Sequence, residues 1–297
     1  DEHVVVNWSA THQVTTKRFF QPESLEELEA LVAKADRNKT RLRVIGAGLS
    51  PNGIGLDKDG MVSLALMDKV LSVDTQKQRV TVQAGITVAQ VIEALRPYGL
   101  TLQNLASINA QQIGGFMQVS AHGTGATLPP VDEQVVGLKL VTPGQGTITI
   151  SGDDPEDVEF LRMTRVGLGA LGVVAEATLQ CVPSHELVET TFVTDLSHIE
   201  KNHERLLAAN RHLRYMWIPY TDAVVVVASN PLPPFYHPAR ISGMISRRLF
   251  APKAIPEETR LAPMRELLLQ SGGKQEDAAG LSLAQLRDAL LKLGPLD

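Results

Sequence analysis

RLRVIGAGLSPNG, residues 41–53, alternates apolar and basic side chains from Arg41 to Ile45 and then breaks into glycine at Gly46 and Gly48. A period of two marks a strand, and the glycines mark the loop after it. Loops at the carboxyl ends of strands bind ligands in many α/β folds. Glycine in such a loop lets backbone N–H groups approach a phosphate with no Cβ in the way, so Gly46 to Gly53 reads as a candidate pyrophosphate nest. It is not the dinucleotide fingerprint GxGxxG, because Pro51 holds the sixth position, and no GK[ST] follows a glycine cluster to make a Walker loop.

On the N-terminal side of this loop, Pro22 and Ser24 open a helix. Ser24 and Glu27 have capping-box spacing, and Leu25, Leu28, Val32 and Ala35 share one face. On the C-terminal side, Leu71–Val73 and Val80–Val82 flank a polar turn as a hairpin, and a second capped helix starts at Thr87 with Val88, Val91, Ile92 and Leu95 inward. Val135–Val141 and Thr147–Ile150 form another hairpin, Asp157–Met163 a short helix, and Val173–Val182 a strand that ends at Pro183. Ala106 to Gly125 interrupts this order: it is glycine-rich, almost uncharged and too small-residued for a normal helix. It offers hydroxyls, amides and bare backbone to a flat, mostly neutral ligand such as a flavin ring.

Beyond Pro183 a second domain is expected, with a helix over Leu196–Asn210 and strands at Tyr215–Ile218 and Ala223–Ala228. Residues 230–256 hold six prolines between Pro231 and Pro256 and read as an extended loop, followed by helical stretches at Glu257–Leu269 and Ser282–Leu293. The expected division is 1–182 and 183–297.

Composition narrows the function. The 297 residues are 43% hydrophobic and 21% charged, ordinary for a globular protein of about two domains. A formal charge of −5 supplies no positive field for nucleic acid or an anionic membrane. The longest β-branched apolar run, Ala223–Ala228, is far short of the roughly 18 residues a membrane-spanning helix needs. The single cysteine, Cys181, allows no internal disulfide, and its apolar strand reads as core packing. None of the eight histidines forms HExxH or a helical metal pair, so no metal site is expected. With no GxSxG elbow, a nucleophilic hydrolase has no support.

Taken together, QPESLEELEALV, RVIGAGLSPNGIGL, VSLALMDKVLSVD, VQAGITV, YGLTLQNLASI, QQIGG, AHGTGA, LPPVDEQVVGLKLVTP and LGALGVVAEATLQC resemble the flavoenzymes with a vanillyl-alcohol-oxidase-type, or PCMH-type, FAD-binding domain. The match is to their aldonolactone oxidoreductase branch and runs from about Asn7 to Asn230. ALMDKVLSVD, DEQVVGLKLVTPGQGTI and IPYTDAVVVVASNP are closest to the plant-type mitochondrial members. The resemblance implies an α+β fold, in which a two-subdomain FAD-binding domain precedes an α/β substrate domain.

Carried over residue by residue, it places the FAD pyrophosphate on Gly46, Ala47, Gly48, Leu49, Ser50 and Asn52. The isoalloxazine and ribityl chain would lie along Ser107, Gln112, Gly115, Val119, His122, Gly123 and Thr124, and the adenine end at the backbone of Val173 and Val174. Many relatives bond the flavin through a histidine at the position of Leu49, and leucine has no nucleophilic atom, so non-covalent FAD is implied. Ala106 stands where oxygen-reactive relatives carry glycine, which implies a dehydrogenase rather than a peroxide-forming oxidase.

The implied reaction is hydride transfer from C2 of an aldonolactone, L-galactono-1,4-lactone, to flavin N5, giving L-ascorbate, with cytochrome c as electron acceptor. The implied location is the mitochondrial inner membrane facing the intermembrane space, with peripheral membrane contact at most. The family's substrate-positioning glutamate and arginine lie in a Glu-x-Arg-Trp-like motif that this sequence lacks. The pair is expected beyond its end, which leaves the substrate domain incomplete. A second role implied by the resemblance is that of a bound, non-catalytic factor in assembly of respiratory complex I.

Overall fold

The computed structural model describes residues 2–232 together with Arg265, Leu269, Leu281 and Gln285. The proline-rich stretch from residue 233 and both expected C-terminal helices lie outside the described residues, those four positions excepted. The chain divides into two compact units, Asp1–His185 and Glu186–Asp297.

The first unit opens with an antiparallel hairpin, β1 (His3–Val6) and β2 (Gln13–Thr16). A small parallel sheet follows, built from β3 (Phe19–Phe20), β4 (Arg43–Ile45) and β5 (Met61–Ser63) in the order β3-β5-β4, with helix α1 (Leu25–Arg37) as the crossover between β3 and β4. Ser24 caps α1 by accepting the Glu27 N–H at 3.2 Å. The Glu27 carboxylate reaches back to the N–H of Glu23 rather than of Ser24, so the box is displaced by one residue. Leu28, Val32 and Ala35 are buried, the face expected from their spacing.

The larger sheet is antiparallel, in the order β10-β9-β11-β7-β6, with β8 also pairing β11. Its strands are β6 (Val70–Asp74), β7 (Arg79–Gln83), β8 (Leu100–Leu102), β9 (Val135–Thr142), β10 (Gly146–Ser151) and β11 (Val173–Pro183). Helix α2 (Val88–Leu95) carries the full Thr87–Gln90 capping box. Helix α3 (Ile113–Gln118) packs on β11, and α4 (Val158–Arg165) packs on β9 and β10. Buried Val80, Val82, Phe116, Leu138, Leu140 and Leu179 belong to one continuous core between these elements.

Two sequence expectations are corrected here. Ala106–Gly125 does contain a helix: α3, IGGFMQ, exists because Ile113, Phe116 and Met117 are buried on one side while Gly114 lets the turn settle onto Ala84. At Gly114 a Cβ would meet both the Cβ and the carbonyl oxygen of Ala84 at 3.2 Å. The strand expected to stop at Ala228 runs on to Pro231, because β12 pairs with it as far as Leu187–Pro231, and the proline stands at the strand's last position, beyond the end of the β13 pairing.

The second unit is a three-stranded antiparallel sheet in the order β12-β14-β13, from β12 (Leu187–Asp195), β13 (His212–Trp217) and β14 (Ala223–Pro231). Helix α5 (Leu196–Ala209) follows β12 directly and is capped by Asp195, which accepts the His198 N–H at 2.8 Å. That bond and one from the Ser197 hydroxyl hold the Asp195 carboxyl below its ordinary value, the hydroxyl contributing more. No helix among the described residues is long and apolar enough to cross a membrane.

Candidate functional site

A cleft of about 620 Å³ opens in the first unit at the carboxyl end of β4. Three stretches build it. The loop after β4 contributes Gly46 to Asn52, the segment through α3 contributes Gln111, Gln112, Gly114, Gly115, Gln118 and Val119, and the run into β11 contributes Val166, Leu168, Gly169, Gly172 and Val174.

The first two walls meet at Gly46. A Cβ there would sit 3.5 Å from Gln112 Oε1 and 3.9 Å from the Cα of Gly115, ordinary van der Waals distances, so the loop and the head of the helix lie against one another at this point. Gly48 holds a left-handed φ of +68°, and its carbonyl accepts the Trp8 N–H at 3.0 Å. The N–H groups of Ala47, Gly48, Leu49 and Ser50 donate to no acceptor among the described residues. Arg43 is the one charged side chain among the described lining residues, and no carboxylate lies there. Free N–H donors and one cation, without an acid, make a site for an anion.

The third wall depends on a β-bulge. Between Val174 and Glu176 the register of β11 on β9 shifts, leaving Ala175 as the extra residue, and its carbonyl accepts the Ala84 N–H at 2.9 Å. A bulge re-aims neighbouring side chains. Val173 and Val174 are both buried, yet only Val174 lines the cleft. Gly172 has to be glycine, since a Cβ there would lie 2.6 Å from the Val141 carbonyl oxygen.

The structure thus brings together Gly46, Ala47, Gly48, Leu49, Ser50, Asn52, Gln112, Gly115, Val119 and Val174 around one cleft. Ala106, Ser107, His122, Gly123, Thr124 and Val173 are not among its lining residues. Ala106 is half-buried against the core, whereas Ser107, His122 and Thr124 are exposed. His122 Nδ1 lies 3.0 Å from the carbonyl of Gly123, and Gly123 packs directly on Asn104 and Leu105. Gly123 thus ties residues 121–125 to residues 104–105, outside the lining of the cleft.

Sequence reasoning missed Asn7, Gln118 and the 166–172 run. Asn7 is buried, and its Nδ2 donates to the Ser50 carbonyl at 3.1 Å. Gln111 Oε1 is buried and accepts from no donor among the described residues. Arg165, at the end of α4, has its basicity lowered by burial, against the opposing pull of Asp132 and Glu133. Burial also pushes the Cys181 thiol up to about 11, as for an unreactive core cysteine. No group of histidine, cysteine or acidic residues that could hold a metal is present among the described residues.

Comparison with known proteins adds the following. Residues 16–152 match the family described as FAD binding domain, and residues 177–244 match D-arabinono-1,4-lactone oxidase. The chain is 53% identical to mitochondrial L-galactono-1,4-lactone dehydrogenase of Arabidopsis thaliana, over 100% of this chain and 49% of that protein. It is 36% identical to L-gulonolactone oxidase of Bos taurus over 74% of this chain and 50% of the relative. The chain spans about half the length of the curated relatives it matches. Among solved structures, cholesterol oxidase from B. sterolicum shares the fold with a TM-score of 0.65 at 20% identity, over 79% of this chain and 49% of that one. Alkyldihydroxyacetonephosphate synthase gives a TM-score of 0.62 at 18% identity, over 72% of this chain and 46% of that one.

Proposed function

We propose that this chain, which belongs to the family of FAD-binding aldonolactone oxidoreductases, holds FAD non-covalently in an enzyme that oxidises L-galactono-1,4-lactone to L-ascorbate and delivers the electrons to cytochrome c. The observation that carries this reading is the meeting of Gly46 with Gln112 and Gly115, which turns the unpaired N–H groups of Ala47 to Ser50 into one wall of a cleft.

The residues present fit FAD on their own chemistry. Ala47, Gly48, Leu49 and Ser50 would donate to the diphosphate, with Arg43 as the nearby cation. Gln111 Oε1, buried without a donor, would accept an N–H or O–H of the ligand. Leu49 lines the cleft and offers no nucleophile, which is the ground for non-covalent binding. Gln112, Gly115 and Val119 would face the ribityl and ring portions, with Ala106, Ser107, His122, Gly123 and Thr124 beside them. Val173 and Val174 would bound the adenine end. When bound, FAD supplies acceptance of a hydride and release of electrons one at a time.

The catalytic acid and base are left unassigned: among the described residues no buried carboxylate–arginine pair lines the cleft. The second unit is read as the beginning of the substrate domain. A mitochondrial location is supported by the names of the relatives, and its placement at the inner membrane facing the intermembrane space rests on the sequence resemblance alone. The alternative role, as a non-catalytic factor bound to complex I, rests on that resemblance alone and is tested by co-purification with complex I subunits.

The deciding experiment is a visible spectrum of the purified protein before and after acid precipitation, followed by lactone-dependent cytochrome c reduction. Yellow flavin released to the supernatant is the expected result. Flavin retained in the pellet would overturn the Leu49 argument, and a colourless protein that takes up no FAD would overturn the cofactor assignment.

A further inference from the structure

Helix α3 has work at both of its ends. At its start, Gln112 and Gly115 meet the Gly46 loop. At its last residue, the Gln118 carboxamide crosses to the segment that follows α4. Its Nε2 donates to the carbonyls of Thr164 at 2.7 Å and Arg165 at 3.1 Å, and its Oε1 accepts the Gly169 N–H at 3.1 Å. Two acceptors and one donor fix which way the amide points. The two carbonyls belong to the last turn of α4, beyond the helix's own ladder, and that of Thr164 also accepts the Gly167 N–H at 3.4 Å.

The segment held in this way is strained. Leu168 has a φ of +51° and Gly169 a φ of +78°, so two consecutive residues are left-handed, and the first is a leucine. An L-residue persists there only when its surroundings hold it. Leu168 and Gly169 line the cleft, together with Val166, Gly172 and Val174, none of which carries a polar side chain. The unpaired N–H donors are gathered elsewhere, at Ala47 to Ser50.

We propose that Gln118 is a positioning residue that holds Leu168 as the apolar end wall of the cleft, against the adenosine half of the dinucleotide. The inference rests on the FAD reading of the cleft. It follows from the division of chemistry along the walls. The phosphate-type donors lie on one loop, the amide-bearing residues Gln111 and Gln112 lie at the head of α3, and the Leu168 wall offers only apolar surface and backbone, which suits a purine face. Gln118 touches that wall through the Gly169 N–H, so its effect on the ligand passes through the conformation of Leu168.

The test is a flavin-fluorescence titration of the full-length enzyme, stripped of cofactor, with FAD and in parallel with FMN, which lacks the adenosine half. Four proteins are compared: the unaltered one, Gln118→Ala, Leu168→Ala and the double variant. Gln118→Ala should weaken FAD about tenfold, the scale of lost hydrogen bonds, and leave FMN within about twofold. Leu168→Ala should act in the same sense. The double variant should lose little more than the larger single loss, because both act through one wall. An equal loss for FAD and FMN, no loss for FAD, or additive losses would each overturn the proposal. Leu168 is 45% exposed, so its truncation leaves the core intact. Should Gln118→Ala not fold, a Leu168→Ala protein with unchanged FAD affinity overturns the proposal by itself. If the unaltered protein binds neither flavin, it is the FAD reading that falls.

Discussion

Asn7 and Ser50, 43 positions apart, are joined by a 3.1 Å hydrogen bond from the Asn7 Nδ2 to the Ser50 carbonyl. The same side chain accepts the His12 N–H through Oδ1 at 3.1 Å, so one buried carboxamide ties the N-terminal hairpin to the glycine loop. The Trp8 N–H reinforces the tie by donating to Gly48. The loop that presents the unpaired N–H groups is thus held by the N-terminal hairpin, whose Asn7 itself lines the cleft.

Asn7→Ala removes both ends of this bridge, between the half-buried Ser50 carbonyl and the exposed His12 N–H, which costs about 0.5–1.5 kcal/mol per bond. The expected outcome is a lower melting temperature and weaker FAD binding together. A melting temperature that falls while FAD affinity stays unchanged would separate Asn7 from the loop's function.

Adjacent glycines in α3 should behave oppositely. Gly114→Ala would press a Cβ to 3.2 Å from Ala84, and overpacking of this kind costs about 1–3 kcal/mol. Nothing lies within 4 Å of a Cβ at Gly115, so Gly115→Ala should leave the cofactor-free protein as stable or stabilise it by about 0.5–1 kcal/mol. It should nevertheless weaken FAD, because Gly115 lines the cleft. Thermal melts without FAD, paired with FAD titrations, check both halves of this contrast.

Ala106 is half-buried against the core and is not among the residues that line the cleft. If its methyl group shields the flavin, Ala106→Gly in the full-length enzyme should raise lactone-dependent hydrogen peroxide formation without preventing cytochrome c reduction. An unchanged rate of peroxide formation would remove this residue from the account.

At the start of β7, Arg79 grips Asp153 with two nitrogens, at 2.7 and 3.0 Å, and Lys77 adds a third contact at 3.2 Å. The Arg79 hydrogen bonds, followed by that from Lys77, lower the Asp153 carboxyl from 3.8 to about 2. A carboxylate whose folded pKa is depressed stabilises the fold above its unfolded pKa, and that contribution is lost as pH falls through the folded value. The stability difference between the unaltered protein and Asp153→Asn should therefore be constant above about pH 5 and shrink toward about pH 2. Urea midpoints measured across that range test it, and a difference that grows with acid would contradict the pairing.

Much of the fold was legible because its signals are local. Ser24 with Glu27 and Thr87 with Gln90 announce helix starts within four residues, and the two hairpins of the large sheet announce themselves by alternation on either side of a polar turn. Helix α3 was not legible, because glycine opposes helix in isolation. What favours it is the contact of Gly114 with Ala84, 30 positions away. The glycine loop could be read from its own residues. The parts of the site supplied by Asn7, Gln118 and Leu168 could not, since their bonds span 43 to 51 positions and leave no periodic trace.

Helix α3 is six residues long, with a wall of the cleft fastened at each end. One inserted residue would turn Gln118 by about 100° about the axis and advance it by about 1.5 Å. Gln112 would then still meet Gly46, but Gln118 would face away from Gly169. The spacing from Gln112 to Gln118 therefore works as a fixed ruler, and length variation in any protein that keeps this ligand belongs in the flanking loops instead.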